Sequence, residues 1–451
     1  MMLGNLIQSL SDTVNNIYLG QMLGLGAIAS VSAFFPVLFI LIAFMIGLGS
    51  GAAVLIGQAW GANEHDQVRA IAGTTLMVGL IASAAAFVFG NEFAELVLRL
   101  LRTPPDILPS SISYARVMMM ATPAIFVIYL ISLMLRGVGD TKTPLFMLLI
   151  SATLNMLLTP ALIRGWFGLP QMGVASGAYA MGIACCVAII WAMWHLSHAT
   201  IPLKAANNHK MHLNAPNRCK HPFAPNALFL KHLRIDKVIL GKVLKIALPT
   251  TLSMITLSIS EISVLFLVNH YGSQATAAYG AVNQIVNYVQ FPAISISIAA
   301  TILGAQAIGA GRADILGKIA KTGIKMNWML TGSLVILALI FSRSIIGLFI
   351  TDAVVVDIAQ TQLNIMLWSN VIMGMSMVLS GLMRASGEVV MPTAITMFCI
   401  LFIEIPTAWV LSNAYGINGI SVAYPIAFLT MLAMQTAYYK LVWRKKLINR
   451  L

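Results

Sequence analysis

The sequence predicts an all-α integral membrane protein, with twelve transmembrane helices in two pseudo-symmetric six-helix lobes. Three observations predict it. Of 451 residues, 59% are hydrophobic and only 9% charged, with a mean hydropathy of +0.88, whereas a soluble domain carries about 25% charged residues. Apolar runs long enough to cross a bilayer recur twelve times, and the second half repeats the first.

A spanning helix needs about 20 mostly apolar residues. The twelve runs cover 1–22, 27–58, 70–92, 113–136, 143–163, 172–197, 243–269, 275–306, 325–342, 357–384, 390–412 and 418–441. Stretches 27–60 and 271–310 contain no Asp, Glu, Lys or Arg. They are too long for upright helices across a core of about 30 Å, so tilt or extension beyond the bilayer is expected. Unbroken runs exclude a transmembrane β-barrel, whose strands alternate in hydrophobicity.

The 27 Lys and Arg outnumber the 14 Asp and Glu, giving a net charge of +13. In a membrane protein this excess reports topology rather than a nucleic-acid partner. Alternating the loops puts 22 of the 27 basic residues on one side, including nine from Lys204 to Lys245 and five from Lys440 to Arg450. Only Arg99, Arg102, Arg116, Arg164 and Arg343 fall on the other. The positive-inside rule then expects both termini and the central linker in the cytoplasm.

The repeat runs at an offset of 248. Gln58-Ala59-Trp60-Gly61-Ala62 recurs as Gln306-Ala307-Ile308-Gly309-Ala310. Arg136-x-x-Gly139-Asp140-x-x-x-Pro144 recurs as Arg384-x-x-Gly387-Glu388-x-x-x-Pro392. Gly24 matches Gly272, and after a five-residue slip the Gly-rich stretch at Gly173 matches that at Gly416. Six spans per copy is even, so both copies share one orientation, a common transporter plan. The expected organisation is an N-terminal lobe 1–200, a basic cytoplasmic linker 201–240 and a C-terminal lobe 241–451. Met1 aligns with Pro249, and the helix-like stretch 235–248 has no first-half counterpart, so a start a dozen residues short of the ancestral form is expected. His209, His212, Cys219 and His221 fall in the linker, where a polar, histidine-containing connection is the plain reading and no metal is expected.

Function classes narrow by elimination. No Gly-x-x-x-x-Gly-Lys-Ser/Thr loop supports an ATPase, and no His-Glu-x-x-His supports a zinc protease. An ion-coupled carrier, a channel or a lipid flippase remains. Coupling needs carboxylates in the membrane, where a charge is costly and usually functional. Three acids lie deep in spans: Asp12, Glu261 and Glu404. Either a proton or Na⁺ suits such groups, and no other cofactor is expected. The structural alternative is a carboxylate satisfied within the bundle; for Glu404 it is a local distortion beside Pro406.

Polar side chains for a hydrated cavity are Asn15 and Asn16, Asn155 and Thr159, and Asn283, Gln284, Asn287 and Tyr288. Asp12 with Asn15, and Asn283 with Asn287, share a helix face. Interhelical hydrogen bonding is an equally good reading. The loop residues Gln58, Gly61, Arg136, Asp140, Gln306, Gly309, Arg384 and Glu388 fit a scaffold or gating role, with Asp140 and Glu388 pairing with the arginines or capping the next helix.

On Gly57-Gln58-Ala59-Trp60-Gly61-Ala62, its second-half twin and the two Arg-x-x-Gly-Asp/Glu loops, the whole chain resembles a multidrug and toxic-compound extrusion (MATE) family transporter. Positions 8–20 look closest to its DNA-damage-inducible F-like branch. The resemblance implies a V-shaped fold and export of cationic or amphipathic compounds in exchange for H⁺ or Na⁺. It further implies drug-like partners, a monomer and a bacterial inner membrane. A lipid-linked oligosaccharide flippase of the same superfamily is the alternative, but it would need a more cationic cavity than these few intramembrane Arg and Lys provide. The chain departs from the family where it has Asn15-Asn16 in place of Asp-Thr, and Thr159-Pro160 in place of Asp-Pro. Asp12, or Glu261 and Glu404, are then left to carry coupling by H⁺, with Asp12 and Glu261 the expected pair.

Overall fold

The computed structural model describes residues 2–100, 103–168, 170–198, 200–202, 218–220, 222–223, 233–347, 352–446, 448 and 450–451. The first half holds α1 (Met2–Leu23), α2 (Leu25–Gly61), α3 (His65–Leu100), α4 (Leu108–Gly137), α5 (Lys142–Arg164) and α6 (Ser176–His198). The second opens with α7 (Lys237–Asn269), α8 (Ser273–Gly309), α9 (Leu316–Ile340) and the short α10 (Ser342–Gly347). It continues through α11 (Ala353–Met366), α12 (Ser369–Ala385), α13 (Val390–Phe398), α14 (Ile405–Tyr415) and α15 (Ile417–Leu441). A π turn over Cys399–Glu404 joins α13 to α14.

Ten helices are each long and apolar enough to cross a bilayer among the described residues, and the bent pair α11–α12 makes an eleventh. That is one short of the twelve spans expected. α1 falls outside the count because Asn5, Gln8, Asp12, Asn15, Asn16 and Gln21 make its 22 residues too polar. The two charge-free runs are single helices of 37 residues, α2 and α8, each about 55 Å long at 1.5 Å per residue. The linker holds a two-stranded antiparallel ribbon, Thr200–Pro202 with Arg218–Lys220. His209, His212 and His221 lie outside the described residues, and only the backbone of Cys219 is described.

The repeat is visible in backbone geometry. Gly24 has φ +86° and Gly272 φ +90°; Gly139 has φ +89° and Gly387 φ +84°. Asn63 (φ 61°), the non-glycine residue with positive φ among those described, stands where the second half has Gly311 (φ 70°). The closing hydrogen bonds repeat as well. Glu64 N–H donates to the Ala59 carbonyl at 2.9 Å and Arg312 N–H to Ala307 at 2.8 Å, while Asp140 bonds Leu135 at 3.0 Å and Glu388 bonds Met383 at 3.1 Å. Equal turns at equal spacing leave two copies of one chain path.

The chain forms two compact units, one mainly Leu3–Trp60 with Glu64–Leu244, the other mainly Lys245–Leu451 with Gly61–Asn63. In the first, α4 is the hub, packed on α3, α6 and α5. In the second the hub is α12, packed on α8, α9 and α15. Val282, Val289, Leu363 and Leu367 are part of an apolar core there. α12 begins after a 40° bend, and polar side chains of α12 itself and of α9 bond carbonyl groups around it. Asn370 Nδ2 donates to the Leu367 carbonyl at 3.2 Å and Asn327 Nδ2 to that of Val371 at 2.9 Å.

Candidate functional site

Pro406 has no N–H, so a regular helix through it would lack the bond back to residue 402. The chain widens just before it: the Ile405 N–H reaches the Ile400 carbonyl, the five-residue bond of a π turn, a feature frequent at functional positions. The chain is therefore distorted beside Pro406, and Glu404, the last residue of the π turn, lies in the interior of the second unit. Glu404 is 4% exposed. Ser260 Oγ of α7 donates to its Oε1 at 2.6 Å, the short distance of a charge-assisted bond. Among the described residues no lysine or arginine pairs with it. A carboxylate in that position carries an uncompensated charge, which uptake of a cation or proton removes.

Around this pair lie further polar groups. Tyr279 of α8 and Tyr424 of α15 share a hydrogen bond between hydroxyls at 2.7 Å. Asn283 bonds Tyr279, and both tyrosines interact electrostatically with Glu404 and Glu261. Glu261 itself lies on the exposed side of α7, one position from Ser260. Depth along a span and burial are different things, and here they separate the two acids.

In the first unit Asp12 is exposed on α1 and accepts from Gln8 Nε2 at 3.1 Å. Tyr114 and Tyr129 of α4 interact electrostatically with it. Asn15 is half-buried with its Oδ1 unpartnered, and Asn16 is exposed. Asn155 and Thr159 are buried on α5 and satisfy each other: Thr159 Oγ1 donates to the Asn155 carbonyl at 2.8 Å, while Asn155 Nδ2 faces Met181 Sδ at 3.6 Å. These two read as local structure. In α8, Gln284 Nε2 donates to the Tyr288 hydroxyl at 3.2 Å and Asn287 is exposed.

The loop residues are mostly scaffold. Gln58 is buried at the end of α2, and Gly61 and Gly309 are the last residues of α2 and α8; Gln306 is half-buried one turn earlier in α8. Asp140 caps α5, accepting from the Lys142 and Thr143 N–H groups at 3.0 and 3.1 Å and from Thr143 Oγ1 at 2.6 Å. Arg136 borders a small pocket with Gly4, Thr141, Pro144, Leu145 and Leu148. Its counterpart Arg384 donates to Ser380 Oγ at 3.0 Å. Glu388 departs from both expected roles, because Lys446 of the C-terminal tail takes its carboxylate at 2.7 Å. That bond, with help from Tyr438, holds the Lys446 ammonium above the ordinary lysine range.

Ser260, Tyr279 and Tyr424 are not among the sequence candidates. The repeat carries a signal for the first, since Ser260 stands 248 positions after Asp12. Tyr279 lies one turn before Asn283 on the same face. Nothing in the sequence singles out Tyr424.

Comparison with known proteins agrees with this architecture. The MatE family model matches residues 1–161 and 249–410. The second match begins 248 positions after the first and ends 249 after it, and the π turn offers a place for the extra residue. The chain is 40% identical over 453 residues to the probable multidrug resistance protein YoeA of Bacillus subtilis, covering 100% of this chain and 94% of that protein. It is 22% identical to the multidrug export protein MepA of Staphylococcus aureus (strain MRSA252), over 93% and 87% of the two chains. Among solved structures, a point mutant of the Vibrio cholerae MATE transporter VcmN superposes with a TM-score of 0.88 at 18% identity, covering 99% and 95% of the chains.

Proposed function

The chain belongs to the MatE family, and from that premise we propose that it is a secondary active exporter driven by inward proton flow, with Glu404 as the principal proton-carrying group. Family membership and the apolar helices make it a multi-pass membrane transporter for small molecules. One observation carries the coupling: a carboxylate 4% exposed, held by a single short bond from Ser260, with no basic partner among the described residues. Proton uptake discharges Glu404 and release recharges it, so its two states differ by a buried charge. Such a difference can bias the unit between two conformations. Asp12 and Glu261, exposed to whatever borders their helices, are secondary members of the coupling set.

The substrates in this reading are cationic or amphipathic compounds, with Asn15 and Asn16 in the first unit and Asn283 and Asn287 in the second as candidate polar contacts. Residues 1–200 and 241–451 act as the two lobes, joined by the basic linker. The 22 basic residues on one side support a cytoplasmic position for both termini in a bacterial inner-membrane protein. A dye-efflux assay in proteoliposomes tests the coupling. A pH gradient should drive export of a cationic dye and a Na⁺ gradient should not; export by Na⁺ alone would overturn the proton assignment.

A further inference from the structure

One face of α8 is polar over most of its length. Tyr279, Asn283, Asn287, Gln290, Ser297 and Thr301 follow at steps of three, four and seven residues, which places them in one stripe. At its first end Tyr279 is hydrogen-bonded to Tyr424 and to Asn283, and both tyrosines interact electrostatically with Glu404. Further along, it forms a seam with α12. Gln290 Nε2 donates to Asn370 Oδ1 at 2.9 Å, and Ser297 Oγ donates to the Met377 carbonyl at 2.7 Å. Thr301 Oγ1 bonds the Ser297 carbonyl and faces Gly381, where any Cβ would collide with it. One turn on, Ser380 Oγ accepts from Arg384 at the end of α12.

The repeat shows that this polarity is not inherent in the fold. The positions 248 earlier are Val31, Phe35, Phe39, Ile42, Gly49 and Ala53, every one apolar. A stripe confined to the half that buries Glu404, and running from that carboxyl to the Arg384 end, has the form of a route. We propose that the α8–α12 seam is the path by which protons pass between Glu404 and the Arg384 end of the second unit. This inference rests on Glu404 being the coupling group.

The seam suits protons and not a hydrated metal ion. Its two helices touch directly at Gln290–Asn370 and Ser297–Met377, and at Thr301 only glycine fits opposite. Amides and hydroxyls in such a crevice can hydrogen-bond a single file of water once the helices part slightly. The charged and titratable groups along it are Glu404, Glu261, Tyr279 and Tyr424 at one end and Arg384 at the other.

The test is proton-driven dye efflux in proteoliposomes by Gln290→Met and Ser297→Ala, singly and together, both close in volume to the native side chains. The double variant should lose about tenfold in maximal rate, as expected when a proton path is made apolar, with KM for the dye within about twofold. Gln290→Ser, which keeps a polar group, should regain most of the rate. A folded double variant with native rate and native dependence on pH at the Arg384 side would overturn the route. So would an equal loss in KM and rate that Gln290→Ser does not relieve, since that marks a structural role. Glu404→Gln is run alongside. If it keeps native proton-driven efflux, the coupling reading falls; if it abolishes efflux while the seam variants do not slow it, only the route falls.

Discussion

The two halves share a chain path and differ in where they keep their acid. In the first, the acid is Asp12 on α1, while α5 carries the amide of Asn155. In the second, α7 carries only the hydroxyl of Ser260 at the position equivalent to Asp12. The acid is Glu404, which stands 249 positions after Asn155, one more than the offset of the repeat. Acid and neutral partner have exchanged helices. Burial changed with the exchange, from an exposed Asp12 with a 3.1 Å bond from Gln8 to a buried Glu404 with a 2.6 Å bond from Ser260.

The contrast between the halves is greatest at the acids themselves. Glu404→Gln should abolish proton-driven efflux, a loss of about a hundredfold or more, whereas Asp12→Asn should cost about tenfold or less. Initial rates in proteoliposomes decide it, and the reverse ranking would move coupling to the first unit. The exchange can also be probed by rebuilding the first arrangement in the second unit. Ser260→Asp with Glu404→Asn should recover part of the proton-driven rate that Glu404→Asn alone loses; no recovery would mean that the π turn, and not the junction, sets the role.

Smaller effects follow from packing. Gly381→Val forces a side chain into Thr301 and the Ser297 carbonyl, and overpacking of this kind costs about 1–3 kcal/mol, visible as a lower melting temperature in detergent. Ser260→Ala removes the donor from a buried carboxylate, an effect of about 1.5–3 kcal/mol for a bond to a charged group, read as a shifted pH profile of efflux. The smallest effect is expected at the tail. Lys446→Met should move the melting temperature by no more than about 2 °C, because an ion pair this exposed contributes little. Its pH dependence has a definite sign. Lys446 is held above its ordinary value of 10.5, so the contact is fully present below that value and is lost as pH rises through the raised one. Alkaline titration of the lysine, not neutral pH, releases the tail from that side of the pair.

Much of the fold is legible in the sequence because the bilayer enforces it. Apolar runs must become helices, and the charge-free stretches form α2 and α8 within a few residues of the expected ends. The repeat is legible too, down to the positive-φ pair at Gly24 and Gly272. α1 is the exception, since six polar side chains set it apart from an ordinary span. The site is less legible. Ser260 is one serine among many until Glu404 is seen beside it, and the π turn that ends at Glu404 is encoded by neither periodicity nor hydropathy. Pro406 hints at a distortion without saying that the acid beside it is buried. Glu261 is the deeper residue by position in its span, yet rotation about α7 puts it on the exposed side.

The buried carboxyl of the second unit is the group assigned to carry the coupling proton. Proton uptake on dye release, followed with a pH indicator inside proteoliposomes, tests that without an intermediate step. Native protein should couple dye export to proton entry, and Glu404→Gln should bind dye with native affinity while moving no protons. Native proton movement in Glu404→Gln would refute the assignment.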